Sequence, residues 1–351
     1  MEQAAWENRD ARYARQMQFA GIGREGQTRL RQAKVVIVGA GALGTALSNH
    51  LVRAGVGFVR LIDRDVVELG NLHRQMLFDE TDAARLLPKA IAAARKLRTI
   101  NSQVTVEPVL KDLNAANAEA LLGDADLILD GTDNFHTRFL INDVSVKHGI
   151  PWIYGGVVGA RGATMTILPG ETPCFRCLYP HAPAHGTMET CDTTGVIGPA
   201  VHVTASLQAG EALKLLAGAR EKLNAAMMIF DLWENRMDRL ELASAKRDDC
   251  PACGAGHFSF LDAAAEPLII RHMCGKAAIS LFPAEELALN LEQWADRLAG
   301  AGVRVQVTKY LARAYLESGL VLTLFPDGRA IVQGTEDPAR AKSVYVRYLG
   351  A

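Results

Sequence analysis

The sequence predicts an α/β protein built on a doubly wound, Rossmann-like, mostly parallel sheet, and three observations carry that reading. Short apolar runs alternate with helical patterns from residue 35 to about residue 155. The first of them, Val35-Val36-Ile37-Val38, leads directly into the glycine loop Gly39-Ala40-Gly41-Ala42-Leu43-Gly44. Asp63 closes the next run, 63 − 39 = 24 positions beyond the first glycine, where a nucleotide-binding sheet places the acid that receives ribose hydroxyls.

Each element follows in order. Residues 1–34 are charged and poor in β-character, which predicts a helical arm. The run 35–38 is apolar throughout, as a strand covered on both faces must be. Leu43, Leu47, Leu51 and Val52 keep a helical spacing, and Gly55 is positioned to end that helix. A strand at 58–62, a helix at 88–100 with Pro88 in its first turn, and strands at 104–106 and 127–130 continue the alternation. A helix at 137–148 and a strand at 152–154 complete it. Beyond Gly155 the pattern changes to an antiparallel extension, with strands at 163–168, 227–232 and 236–242 around a helix at 199–216. The loop 180–190, rich in Pro, His and Gly, interrupts it. The nucleotide-binding domain thus spans 35–260, and Ala263-Ala264-Ala265-Glu266-Pro267 reads as a linker. A small α+β domain is expected over 268–351: a strand at 278–282, a helix at 285–298, then Val303, Val305 and Val307 and Leu320, Leu322 and Leu324 at period two. Asp327-Gly328 makes a hairpin turn into the run 330–332.

Composition bounds the function. A chain of 351 residues is expected to hold two domains. With 38 basic and 39 acidic side chains it carries no electrostatic footprint for nucleic acid or an anionic membrane. Its longest uncharged run, 35–52, is broken by Gly39, Gly41, Gly44, Asn49 and His50, which suits a strand, turn and helix better than a membrane span. The charged N-terminus predicts no secretion, and the cysteine usage points to the reducing cytoplasm.

Four of the six cysteines form two Cys-x-x-Cys pairs, Cys174 with Cys177 and Cys250 with Cys253. Each spacing lets two sulfurs reach one metal, and four thiolates would close a tetrahedral, structural Zn2+ site. A dithiol redox pair is the rival; neither pair opens a helix in a βαβ setting, which disfavours it. His181 and His185 read as loop residues, Cys274 as a small packing residue, and Cys191, directly after the loop, as a candidate nucleophile.

The glycine loop by itself fits a dinucleotide or ATP. What surrounds it is more specific. Arg12-Tyr13-x-Arg15-Gln16, the loop itself, Asp63-x-Asp65, Asn71-Leu72-x-Arg74-Gln75, Pro88-Lys89 and Asp130-Gly131-Thr132-Asp133-Asn134 occur in that order. Together they resemble the ThiF/MoeB/HesA branch of the ubiquitin-activating-enzyme superfamily over about residues 10–258, leaving the last ninety or so outside. The resemblance implies an adenylyltransferase: the C-terminal glycine carboxylate of a ubiquitin-like sulfur carrier protein with a Gly-Gly tail attacks the α-phosphate of ATP, for thiamin or molybdopterin synthesis. It also implies roles. Gly39, Gly41 and Gly44 would cradle the nucleotide, Asp63 bind ribose, Asn71, Arg74 and Lys89 contact phosphates, and Asp133 hold Mg2+. Arg15 would reach the partner subunit's site, which implies a homodimer. Cys191 matches a cysteine that takes part in sulfur transfer in the thiamin branch, with a sulfurtransferase or cysteine desulfurase as sulfur source. His73 stands where the family commonly has glutamine. The ending Leu349-Gly350-Ala351 is not a Gly-Gly tail, so the carrier is expected in trans. Three other readings compete: activation of a carboxylate on a modified tRNA or a peptide, a nicotinamide oxidoreductase, and a non-catalytic scaffold. No hydride-transfer site follows Asp63, and intact Arg15, Arg74 and Asp133 weigh against a scaffold.

Overall fold

The computed structural model describes residues 10–181, 194–262, 268–272, 277–283, 287–316 and 319–349. They fall into two units, Met1–Ala263 and Ala264–Ala351. In the first unit α1 (Ala14–Gln18) and α2 (Gly23–Gln32) precede β1 (Lys34–Val38), and α3 (Ala42–Ala54) leads to β2 (Phe58–Ile62). Then come α4 (Glu80–Ala84), α5 (Lys89–Ile100), β3 (Thr105–Val109), α6 (Ala118–Leu122), β4 (Leu127–Asp130) and α7 (Phe135–His148). The strands β5 (Trp152–Val158) and β6 (Arg161–Ile167), the short α8 (Phe175–Leu178), the long α9 (Gly198–Ala217), β7 (Ala226–Asp231) and β8 (Arg236–Glu241) complete it.

The eight strands lie in the order β3-β2-β1-β4-β5-β6-β7-β8. Those from β3 to β5 are parallel, and β5 to β8 run antiparallel. This is the doubly wound sheet with an antiparallel extension that the sequence predicts. Its order reverses between β1 and β4, so the crevice past their carboxyl ends is where such a sheet accepts a ligand.

The apolar run of β1 is explained by what covers it. Val35 and Ile37 pack with Leu43, Leu47, Leu51 and Leu97 on one face. Val36 and Val38 pack with Phe139, Leu140 and Trp152 on the other. Helix α3 ends at Gly55, whose φ of +83° is a left-handed stop. A Cβ there would also stand 2.5 Å from the Tyr13 ring. Tyr13 is buried, its hydroxyl accepting from Asn101 Nδ2 at 2.7 Å, and Gln16 Nε2 donates to Ala54 O at 2.9 Å. Two residues of the N-terminal motif are thereby anchors that seat the arm. Among the described residues no helix is long and apolar enough to cross a membrane.

Among the described residues the second unit is a six-stranded antiparallel sheet with two helices. Its elements are β9 (Leu268–His272), β10 (Ala278–Pro283), α10 (Leu291–Gly300), β11 (Arg304–Val307), β12 (Ala312–Tyr315), β13 (Val321–Leu324), β14 (Ala330–Gln333) and α11 (Pro338–Leu349). The sheet order is β11-β12-β13-β14-β10-β9. Leu322 and Leu324 point inward against Trp294, Leu298 and Tyr345, as their period-two spacing predicts. One boundary differs from expectation: α10 begins at Leu291, not near 285. The Asn290 side chain accepts from the Glu292 and Gln293 N–H groups and sets the start. Strands β9 and β12 and helix α11 were not legible in the sequence.

Candidate nucleotide and metal sites

Two glycine-bearing turns meet where the strand order reverses. Gly39, after β1, has φ +92°, and a Cβ on it would lie 2.5 Å from Gly131 O, after β4. A Cβ on Gly44 would fall 1.8 Å from Gly39 O, so the third glycine lets α3 fold onto the turn. Gly41 differs from both: a Cβ there meets only Gln75 Nε2, at 3.8 Å. The first two steric needs are internal to the fold, whereas Gly41 opens onto free space at the N-terminus of α3. No side chain caps that terminus, so its first-turn N–H groups remain available to an anion.

Asp63 closes β2 beside this turn. Its Oδ2 accepts from Ala40 N and its Oδ1 from Asp65 N, both at 2.7 Å. Each oxygen keeps a lone pair for a further donor. Burial pushes the carboxyl above its ordinary value, against the pull of the Lys89 ammonium. Lys89, the first residue of α5, is buried, and its Nζ pairs with Asp65 Oδ2 at 3.0 Å. The Lys89 N–H also donates to Asp65 O at 2.8 Å, so the turn after β2 is tied to the α5 N-terminus. Despite desolvation, the Asp65 and Asp63 carboxylates hold the Lys89 ammonium charged, above the usual lysine range. Asp133, exposed in the turn between β4 and α7, adds its field to Lys89, Arg64 and Arg138.

A buried ion pair that sequence reasoning missed holds the Asp133 turn in place. Arg138, one turn into α7, donates Nε to Asp130 Oδ2 at 2.9 Å and Nη2 to Thr132 O at 2.8 Å and Gly155 O at 3.0 Å. The Asp130 Oδ1 accepts from the Thr132 N–H at 2.8 Å and hydroxyl at 2.6 Å, and Gln208 Nε2 reaches Asp130 O at 2.9 Å. Asn134 caps α7 by accepting from Thr137 N. A single sequence offers no signal linking Asp130 to a charge eight residues later in an unremarkable helix.

The Asn71-to-Gln75 segment forms another wall. Arg74 Nη2 donates to Asn71 Oδ1 at 3.0 Å and Nη1 to Gly70 O at 3.2 Å. His73 is exposed, with Nε2 3.3 Å from Arg74 Nη1. A Cβ on Gly198, at the start of α9, would stand 3.1 Å from His73 O, and Gly159 N donates to Gly195 O at 2.9 Å. The start of α9 therefore lies against the His73 and Arg74 backbone; Cys191 lies outside the described residues, as do His185 and Cys274. Arg15 is exposed on α1 and makes no hydrogen bond or ion pair among the described residues. Among the described residues nothing joins its side chain to the other predicted site residues.

The two Cys-x-x-Cys pairs do come together. Cys174 precedes α8 and Cys177 lies on it, while Cys250 and Cys253 share one tight turn. The four sulfurs all lie within 4.8 Å of one another. Individual separations are 3.9 Å for Cys174 with Cys177, 3.6 Å for Cys174 with Cys250 and 3.4 Å for Cys177 with Cys253. Four sulfurs about 2.3 Å from a tetrahedral ion stand about 3.8 Å apart, so the donor set fits one metal with no open position. Their mutual hydrogen bond pushes the Cys174 thiol up and holds Cys177 down. His181 is exposed and is not one of the grouped ligands.

Comparison with known proteins decides the family. Residues 13–252 match the ThiF family. The chain belongs to the ThiF family. The Bacillus subtilis protein named sulfur carrier protein ThiS adenylyltransferase is 45% identical over 339 residues, covering 97% of this chain and 99% of that protein. Its similarity therefore runs through most of the second unit, which the resemblance read from the sequence left outside. A Thermus thermophilus protein named sulfur carrier protein adenylyltransferase is 40% identical over 248 residues, covering 69% of this chain and 90% of that protein. A crystal structure of E. coli MccB with ATP superposes with a TM-score of 0.58 at 25% identity, covering 66% of this chain and 69% of that one.

Proposed function

We propose that the protein adenylates the C-terminal glycine carboxylate of a ubiquitin-like sulfur carrier protein, using ATP and releasing pyrophosphate, in thiamin or molybdopterin synthesis. The observation that carries this reading is the junction of the Gly39 and Gly131 turns at the sheet's reversal point, with Asp63, Lys89 and Asp133 around one open helix N-terminus.

The reaction brings an anion against an anion. A carboxylate oxygen of the carrier attacks the α-phosphorus, the bond from that phosphorus to the α,β-bridging oxygen breaks, and its electron pair leaves with pyrophosphate. Little covalent chemistry falls to the protein; positioning and charge neutralisation do the catalysis. In this reading the glycine turn admits the phosphates, Asp63 receives the ribose hydroxyls, and Asn71, Arg74 and Lys89 hold phosphate oxygens. Asp133 would hold Mg2+, which draws charge from the triphosphate when bound. Arg15, exposed and unengaged among the described residues, is assigned to a second copy's site, so the active form is a homodimer. The four cysteines are assigned to a structural Zn2+, and a cytoplasmic location suits thiols kept reduced for it.

Cys191 is assigned to the later sulfur transfer: its persulfide, received from a sulfurtransferase or cysteine desulfurase, would displace AMP from the acyl-adenylate to give an acyl disulfide, and a second thiol would cleave that S–S bond, releasing the thiocarboxylate and leaving its own sulfur in a disulfide with Cys191. Two assays test the division. Carrier-dependent exchange of labelled pyrophosphate into ATP should occur with the wild type and stay at the wild-type rate in Cys191→Ala, while thiocarboxylate formation by that variant falls by at least about tenfold. Absence of exchange with every Gly-Gly carrier of the organism would overturn the adenylation, and unimpaired thiocarboxylate formation would remove Cys191.

The metal has its own test. Elemental analysis should find one zinc per chain, and Cys250→Ser should lose it together with more than about 4 kcal/mol of stability. A metal-free protein as stable as that variant's parent would contradict the assignment.

A further inference from the structure

We propose that Gln75 is a nucleotide-contacting residue of this site, its carboxamide donating to the phosphate chain above Gly41. The inference rests on the adenylylation reading and deepens it with a residue that the family motifs leave without a role.

Gln75 is only 3% exposed, yet its Oε1 is buried without a hydrogen-bond partner. Its side chain makes no hydrogen bond at all among the described residues. The backbone, in contrast, is pinned: Gln75 N donates to Asn71 O at 3.0 Å and Gln75 O accepts from Phe78 N at 3.1 Å. The enclosed Oε1 is costly, because burial removes its water without replacing it, whereas Nε2 is not among the buried unpartnered atoms and stays open to a ligand. That open end has a definite direction. Nε2 is the one atom within 4 Å of where a Gly41 Cβ would stand, at 3.8 Å. Gly41 is the N-cap of α3, thirteen residues long and without a side-chain cap. An amide N–H donor and the free N–H groups of a helix N-terminus thus face one open volume. An acceptor-rich, anionic ligand accepts from both, and a polyphosphate is such a ligand. Arg74 and Gln75, adjacent in sequence, would then grip the same chain from two sides, Arg74 at the half-exposed rim and Gln75 from below.

The test is calorimetric binding of ATP and of adenosine to the full chain, beside carrier-dependent exchange kinetics, for Gln75→Glu and Gln75→Met. Gln75→Glu turns a carboxylate toward the phosphates and should weaken ATP by at least about tenfold; Gln75→Met should weaken it several-fold. Adenosine affinity and the carrier KM should stay as in the wild type, while the ATP KM rises. The Met variant should melt no lower than the parent without nucleotide, since it removes an unsatisfied polar group. ATP affinity unchanged in both variants, or equal losses for ATP and adenosine, would overturn the proposal. A wild-type protein that binds no ATP would sink the adenylylation reading as well, whereas normal wild-type binding with unchanged variants sinks this inference alone.

Discussion

Asp133→Ala is expected to lower carrier-dependent pyrophosphate exchange by at least about 10²–10³-fold while leaving the fold intact. The side chain is exposed, and no hydrogen bond of its own stabilises the turn; Asp130, Thr132, Arg138 and Asn134 do that. Its loss should therefore change unfolding free energy by no more than about 0.5 kcal/mol. What it removes is an exposed carboxylate whose field reaches Lys89 and Arg64, the group proposed to hold the divalent ion. Asp133→Asn, equal in size but uncharged, should fail almost as badly. Exchange within tenfold of wild type in Asp133→Ala, at saturating Mg2+ and ATP, would show that the metal is held elsewhere.

Arg138→Ala should be the most damaging substitution for stability, at about 3–5 kcal/mol. It leaves the Asp130 carboxylate, 0% exposed, without its countercharge and frees the Thr132 and Gly155 carbonyls. Because those carbonyls frame the turn that carries Asp133, ATP affinity should fall along with the denaturation midpoint. Arg138→Lys should recover only part of either, since one ammonium cannot span three acceptors held in a fork. A loss below about 1 kcal/mol in Arg138→Ala would mean that the Asp130 pair is replaceable by water.

The contrast between these two residues shows what a sequence discloses. Asp133 was legible because it stands in a short ordered motif whose neighbours, Gly131 and Asn134, have local jobs: one passes close to Gly39, the other caps α7. The parallel sheet was legible for a similar reason, since Val35 and Ile37 face one layer and Val36 and Val38 the other, leaving an unbroken apolar run. The thiol pairs declared themselves by spacing, and the chain fold brought their sulfurs together. Arg138 was not legible as a site residue, and Gln75 closed a quoted motif without a role of its own, because the meaning of each depends on what lies across space from it. An arginine in a helix and a glutamine in a turn are, by composition alone, surface residues. In the second unit Ala312 and Ala314 gave too weak an alternation to mark β12, although both are fully buried. The helix expected over 285–298 starts later because Asn290 is its cap.

The central claim is the bond that forms, and the fate of the phosphorus atoms tests it most directly. The purified protein is incubated with a Gly-Gly carrier, Mg2+ and ATP labelled in either the α- or the γ-phosphate, and the carrier is recovered and analysed. Adenylation predicts that only the α-label joins the carrier, through a linkage cleaved by hydroxylamine and absent when the terminal glycine is removed, while the γ-label leaves as pyrophosphate. Transfer of the γ-label to the carrier, or its release as inorganic phosphate in proportion to carrier, would contradict the account.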